Sequence, residues 1–258
     1  MSGGVLAEIA ASVRSRMPAG AYALRQPAAP PPDGARFAAS LCEGGTRIIA
    51  ELKRRSPSAG EIDRNLDRRV ETLALAYRRG HAAAISVVTE REFFGGDPEW
   101  ISRARRISGL PVLMKDFVLG EEQLDFAASY GADAVLLIAA LLDDETLPRL
   151  RRAAESRGLA SLVEAHDAEE VRRAASAGAS IVGINARDLR TFDVDREAAA
   201  SLAASVPGGI LRVAESGIRS REDVERLAAA GFSAFLVGET LLRSEDPEET
   251  LRSLRGTS

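Results

Sequence analysis

Arg47-Ile48-Ile49-Ala50-Glu51-Leu52-Lys53, followed at once by Arg54-Arg55-Ser56-Pro57-Ser58-Ala59-Gly60, is the stretch on which the fold turns. Its first half reads as a buried β-strand. Its second half ends in charge. Side chains two apart on a strand share a face, so Glu51 and Lys53 point the same way at the carboxyl end of that strand. A buried charge is costly unless it is paired or used. Several later β-rich runs end in the same kind of polar residue, which turns a local oddity into the outline of a site.

Working outward, short β-rich runs alternate with helical ones from Arg47 to the end of the chain. The expected strands cover 47–52, 83–88, 111–115, 134–138, 161–164, 181–185, 210–215 and 234–237. Helical stretches such as 69–79, 121–130, 144–156, 168–177, 221–230 and 247–254 separate them. Gly80, Gly131 and Gly231 follow helices, where a left-handed residue is wanted. Ser220 before Arg221-Glu222-Asp223 reads as an N-cap with acid in the first turn. Strict alternation implies a parallel sheet, and eight such strands in 258 residues fit a single (β/α)8 TIM barrel. An open doubly wound sheet is the alternative, but neither GxGxxG nor GxxxxGK[ST] follows the first strand.

Residues 1–44 read differently from the barrel of 45–258. Val5, Ile9 and Val13 recur at helical spacing. Ala28-Ala29-Pro30-Pro31-Pro32 then breaks regular structure, and a second apolar patch runs from Phe37 to Cys42. This part is expected to be an N-terminal helical extension packed on the barrel.

Composition excludes several classes of function. Lys+Arg 34 against Asp+Glu 38 leaves a net charge of only −4, with no basic footprint for nucleic acid. No apolar run approaches the ~18 residues of a membrane span. No secretory signal is evident, so the expected compartment is the cytoplasm. Cys42 is the one cysteine, which rules out an internal disulfide framework; its small apolar neighbours suggest an inert, packed thiol. With two histidines and no convergent carboxylate–His spacing, no metal site is expected. His81 reads as a cap or surface residue, His166 as a loop support lying beyond the face of Glu164, and Trp100 as packing.

In a barrel the carboxyl ends of the strands converge on one mouth. Here those ends bring Glu51 and Lys53, Lys115, Glu164, Asn185 and Arg187, and Glu215. Lysines of lowered pKa and glutamates of raised pKa would suit proton transfer at carbon and oxygen. A network of structural ion pairs is the bland alternative for any one of them. It is a poor account of the whole set, because residues kept for stability favour the opposite face. Ser216-Gly217 and Gly238-Glu239-Thr240 follow strands seven and eight, the loops that often bind phosphate through backbone N–H groups.

These segments resemble the indole-3-glycerol-phosphate synthase family of tryptophan biosynthesis. The resemblance rests on IIAELKRRSPSAGEI (48–62), ISVVTEREFFGG (85–96), PVLMKDFV (111–118), GADAVLLI (131–138), LVEAH (162–166), GINARDLRTF (183–192), ESGI (215–218) and AFLVGETLL (234–242). It implies ring closure of 1-(2-carboxyphenylamino)-1-deoxyribulose 5-phosphate, with loss of carbon dioxide and then water, and no cofactor or metal. Carried over by position, Lys115 is the general acid on the ketone oxygen. Glu164 stabilises positive charge on the anilino nitrogen or takes its proton. Lys53 assists acid chemistry, paired with Glu51, itself a candidate base. Asn185 and Arg187 hold hydroxyls or carboxylate, and Glu215 contacts the sugar chain. Ser56 and Pro57 shape the loop after strand one, and Phe117 packs on the aromatic ring. Lys53, Ser216, Gly217, Gly238 and Glu239 bind phosphate. Ala59, Met114, Ala165 and Ala186 depart from the commoner family residues without removing any of these groups. A phosphoribosyl anthranilate isomerase would want a Cys–Asp pair at strand ends, and a scaffold homologue would show broken strand ends; neither is seen. The expected partner is the small sugar phosphate alone, with the chain a monomer or at most a weak homodimer.

Overall fold

A computed structural model describes residues 4–25, 29–185 and 201–257. Eight parallel strands close side by side in chain order: β1 Arg47–Leu52, β2 Ala84–Val88, β3 Val112–Lys115, β4 Ala134–Ile138, β5 Ala160–Ala165, β6 Ile181–Ile184, β7 Leu211–Ala214 and β8 Ala234–Val237. The ring is sealed where β8 pairs with β1, from Arg47 opposite Ala234 to Ala50 opposite Val237. Alternation of strand and helix therefore produced the expected (β/α)8 barrel. Both faces of such strands are covered, which is why they read as near-continuous apolar runs. One face of each strand, including Ile48, Ala50 and Leu52 of β1, packs outward on the helices. The other, including Ile49, Leu113, Leu136, Leu162, Val213 and Leu236, fills the barrel.

The helices begin with α1 Val5–Arg16 and α2 Gly34–Cys42. Around the barrel lie α3 Leu66–Arg79, α4 Glu99–Ser108, α5 Glu122–Tyr130, α6 Thr146–Ser156, α7 Ala168–Ser176 and α8 Arg221–Ala229. A short α9 Glu239–Leu242 and α10 Pro247–Arg255 end the chain. Ser220 and Asp223 form a reciprocal capping box at α8. Gly131 and Gly231 take the left-handed conformation, with φ of 86° and 94°. Gly80 does not: its φ is −73°, and His81 carries the positive φ of 57°. Gly80 is needed for space instead, since a Cβ there would sit 2.7 Å from Leu251 Cβ on α10.

The N-terminal segment meets the barrel at both ends. Phe37 and Leu41 of α2 are buried with the barrel-filling side chains and close its amino-terminal end. Cys42, at the end of that helix, is exposed rather than packed, because the buried face of α2 is set by Phe37 and Leu41. α1 lies over the other end. Its Arg16 reaches buried Glu90 at 2.8 Å, and its Ser12 hydroxyl donates to Glu92, both in the loop after β2. Between the two helices the chain is tied down by Arg25 N to Ser129 Oγ at 3.0 Å and Asp33 N to Asp133 Oδ1 at 2.9 Å.

Candidate active site

Alternation along the strands turns Glu51, Lys115, Glu164, Asn185 and Glu215 into the mouth of the barrel. They line one cavity of about 460 Å³, together with Lys53, Ser56, Pro57, Phe117, Ser216, Gly217, Gly238 and Glu239. Of the residues singled out from the sequence, only Arg187 is not placed there, since it lies outside the described residues. Leu136, Ile138 and Leu236 form an apolar floor.

Lys115 is the centre of the charge. Its Nζ lies 2.9 Å from Glu215 Oε2 and 3.2 Å from Glu164 Oε2. Burial disfavours the ammonium, but the two carboxylates outweigh it and hold the lysine pKa above its ordinary value. The expectation of a lowered lysine pKa is thus reversed, and the cause is the pair of glutamates on either side. Glu164 is buried as well, yet Lys115 and His166 keep its carboxyl well below the usual range. Burial pushes Glu215 up to about 8; Lys115 opposes the rise and the Glu164 charge adds to it.

Glu215 reaches this cluster because β6 carries Gly183 opposite Glu164 in the ladder. A Cβ on Gly183 would collide with Glu215 Oε1. The missing side chain is what lets Glu215 join Glu164 at Lys115.

Lys53 and Glu51 form a second pair, an ion pair between neighbours on one strand face. Glu51 is 1% exposed and its Oε2 has no hydrogen-bond partner among the described residues. This pair lies against the β8 loop: a Cβ on Gly238 would stand 2.5 Å from Glu51 Oε1. The same edge of the mouth carries the N-terminus of α9, whose first N–H groups have no intrahelical acceptor. Thr240 Oγ1 donates to Ile218 O at 2.7 Å and ties the loops after β7 and β8 together. Gly217 has φ of 78°, and Ser216 Oγ donates to Asn185 Oδ1 at 2.7 Å.

The opposite edge is aromatic. Phe94 and Phe117 line the cavity with ring centroids 5.9 Å apart. Buried Asp116 accepts from Thr89 Oγ1 at 2.6 Å and from Phe117 N at 2.8 Å, fixing the turn that presents Phe117. Glu90 accepts from the Phe93 and Phe94 amides and does the same for Phe94. The loop after β1 folds into a small hairpin, Arg55–Ser56 against Gly60–Glu61, with Ser56 Oγ accepting from Ala59 N at 3.1 Å.

Sequence reasoning missed two contributors. Val5, Leu6 and Ile9 of α1 form a wall of the cavity; the helical spacing of Val5, Ile9 and Val13 showed an apolar face but not what it covers. His166 was set off the face of Glu164, but as the second residue on it shares that face. Its Nε2 lies 3.3 Å from Glu164 Oε1, and its Nδ1 lies 3.0 Å from Glu170 Oε2. Among the described residues, no three His, Cys, Asp or Glu side chains converge as metal ligands.

Comparison with known proteins finds relatives that span most of the chain. A family model described as indole-3-glycerol phosphate synthase matches residues 6–254. The chain is 47% identical over 214 residues to the indole-3-glycerol phosphate synthase of Koribacter versatilis, covering 83% of this chain and 82% of that one. It is 46% identical over 233 residues to indole-3-glycerol phosphate synthase 2 of Streptomyces coelicolor, covering 90% of each. Among solved structures, a 3-hexulose-6-phosphate synthase superposes with a TM-score of 0.63 at 16% identity, over 83% of this chain and 99% of that one. That last likeness speaks for the fold alone.

Proposed function

The chain belongs to the indole-3-glycerol phosphate synthase family, a family of decarboxylating lyases, and on that premise we propose how its mouth closes an indole ring. The substrate, 1-(2-carboxyphenylamino)-1-deoxyribulose 5-phosphate, has a benzoate end, a sugar ketone and a phosphate. The cavity offers a matching order: an aromatic edge at Phe94 and Phe117, a charged centre at Lys115, and backbone donors at Ser216, Gly217, Gly238 and Glu239 beside Lys53. Phosphate suits the first N–H groups of a helix beside a lysine.

In the first step the ring carbon bearing the carboxylate attacks the ketone carbon. Lys115 gives a proton to the ketone oxygen as it becomes an alkoxide. An alkoxide is a far stronger base than an amine, so a lysine that holds its proton tightly still releases it once that charge develops. Glu164, ionised beside Lys115, offsets the positive charge growing on the anilino nitrogen. Carbon dioxide then leaves and its bonding electrons restore the aromatic ring. Dehydration follows: Lys53 protonates the departing hydroxyl, and Glu51, its partner, takes the proton released as the indole double bond forms. Asn185, tied to Ser216, and Glu215 position the sugar hydroxyls, with Arg187 joining them.

One observation carries this reading: Lys115 stands between two buried glutamates in the centre of a cavity that is aromatic at one edge and phosphate-ready at the other. No helix among the described residues is long and apolar enough to cross a membrane, and a reaction on a phosphorylated metabolite supports a cytoplasmic setting. Incubating the purified protein with the carboxyphenylamino sugar phosphate should produce indole fluorescence with one carbon dioxide released per product. Absence of both in folded protein overturns the reading.

A further inference from the structure

Among the described residues, two cations, not one, stand beside Glu164. Lys115 from β3 approaches one carboxylate oxygen at 3.2 Å, and His166 approaches the other at 3.3 Å. The far side of the imidazole is held by Glu170 of α7, which binds His166 twice: Oε2 accepts from the backbone N at 2.8 Å and lies 3.0 Å from Nδ1. Asp167 caps α7 through the Glu170 amide at 2.8 Å, so the helix that carries Glu170 starts at a fixed place. Glu170, His166 and Glu164 therefore form a line of carboxylate, imidazole and carboxylate leading into the mouth. Glu215, by contrast, has Lys115 as its one cation among the described residues, and its Oε1 is buried with no hydrogen-bond partner among them.

We propose that His166, oriented by Glu170, is a positioning residue that keeps Glu164 the ionised member of the Glu164–Glu215 pair. The inference rests on the role given to Glu164 above and adds what secures it. Two buried carboxyls in contact hold a proton between them, and that proton belongs to the pair until something distinguishes the two sites. The groups that distinguish them, among the described residues, are Lys115 facing both, His166 facing Glu164, and Glu170 facing His166; Glu51 also acts on Lys115. Burial disfavours a charged His166, but Glu164 and Glu170 push it up to about 10, so the imidazole is cationic at neutral pH. A protonated Glu215 also gains a donor for its unpartnered oxygen. An ionised Glu164 is the form that can offset charge on the anilino nitrogen.

The test is the pH profile of kcat in His166→Gln and Glu170→Gln, with Glu164→Gln measured alongside. Without the imidazolium the shared proton, whose pKa is about 8, redistributes onto Glu164. Turnover of His166→Gln should fall roughly tenfold near neutrality, recover as pH rises through about 8, and leave KM little changed, because an opposite charge within ~4–6 Å shifts a carboxylate by one to three units. Glu170→Gln should move the profile the same way by less, and it carries the test alone if His166→Gln fails to fold. A folded variant with the wild-type profile overturns the inference. Should Glu164→Gln retain turnover, the role of Glu164 itself falls; a collapse in Glu164→Gln beside an unshifted His166→Gln removes only the inference.

Discussion

At the scale of single residues, the chemistry is concentrated in how Lys115 and Glu164 divide their work. Lys115→Ala removes the proton donor and leaves Glu164 and Glu215 facing each other across a gap. Losing a positioned general acid costs ~10²–10⁴ in rate, so kcat should collapse by that factor in a protein whose circular dichroism is unchanged. Near-wild-type turnover would remove Lys115 from the mechanism. Glu164→Gln keeps the shape and removes the charge. Its interaction with the cationic intermediate is stronger in the transition state than in the bound substrate, so kcat should drop with KM changed less. A change confined to KM would make Glu164 a binding residue and hand its role to Glu51. Both residues were visible in the sequence, since charge at the end of an apolar strand has no cheap structural explanation. The direction of the Lys115 shift was not visible. It depends on Glu215 crossing over Gly183, a contact between strands that no linear pattern encodes.

At the scale of elements, the loops after β7 and β8 form the proposed phosphate site. Gly217 has positive φ, so any side chain strains the turn. Gly217→Val should weaken binding of product and of inorganic phosphate together, while kcat at saturating substrate holds. Calorimetric titration of the folded variant checks this, and unchanged phosphate affinity would sink the assignment. All eight strands were legible because apolar runs bounded by glycines and charges repeat at barrel spacing. The boundaries moved by a residue or so, as at β5, which begins at Ala160 rather than Ser161. Less legible was which glycine bends and which makes room. Gly80 and Gly131 look alike in sequence, yet one lies against Leu251 and the other takes the left-handed turn. The hairpin after β1 went unread because two-residue strands carry no periodicity.

At the scale of the whole molecule, the segment before β1 meets both ends of the barrel, α2 at one and α1 at the other. Arg16 holds α1 over the mouth by its bond to Glu90, a residue that also fixes the Phe93 and Phe94 amides. Arg16→Ala should loosen the α1 wall and raise KM roughly tenfold, the loss expected from a charge-assisted bond worth ~1.5 kcal/mol, with kcat nearly intact. An unchanged KM would show that α1 is dispensable to binding. The other end has a consequence for how the chain is made. Phe37 and Leu41 come early in the chain, but the barrel whose base they cover is closed only by β7 and β8, its last strands. The seam between β1 and β8 also joins residues nearly two hundred apart in the chain. Domains generally fold as units once their parts are available, so no nascent fragment that stops short of β8 holds either a closed ring of strands or the complete rim proposed to bind phosphate.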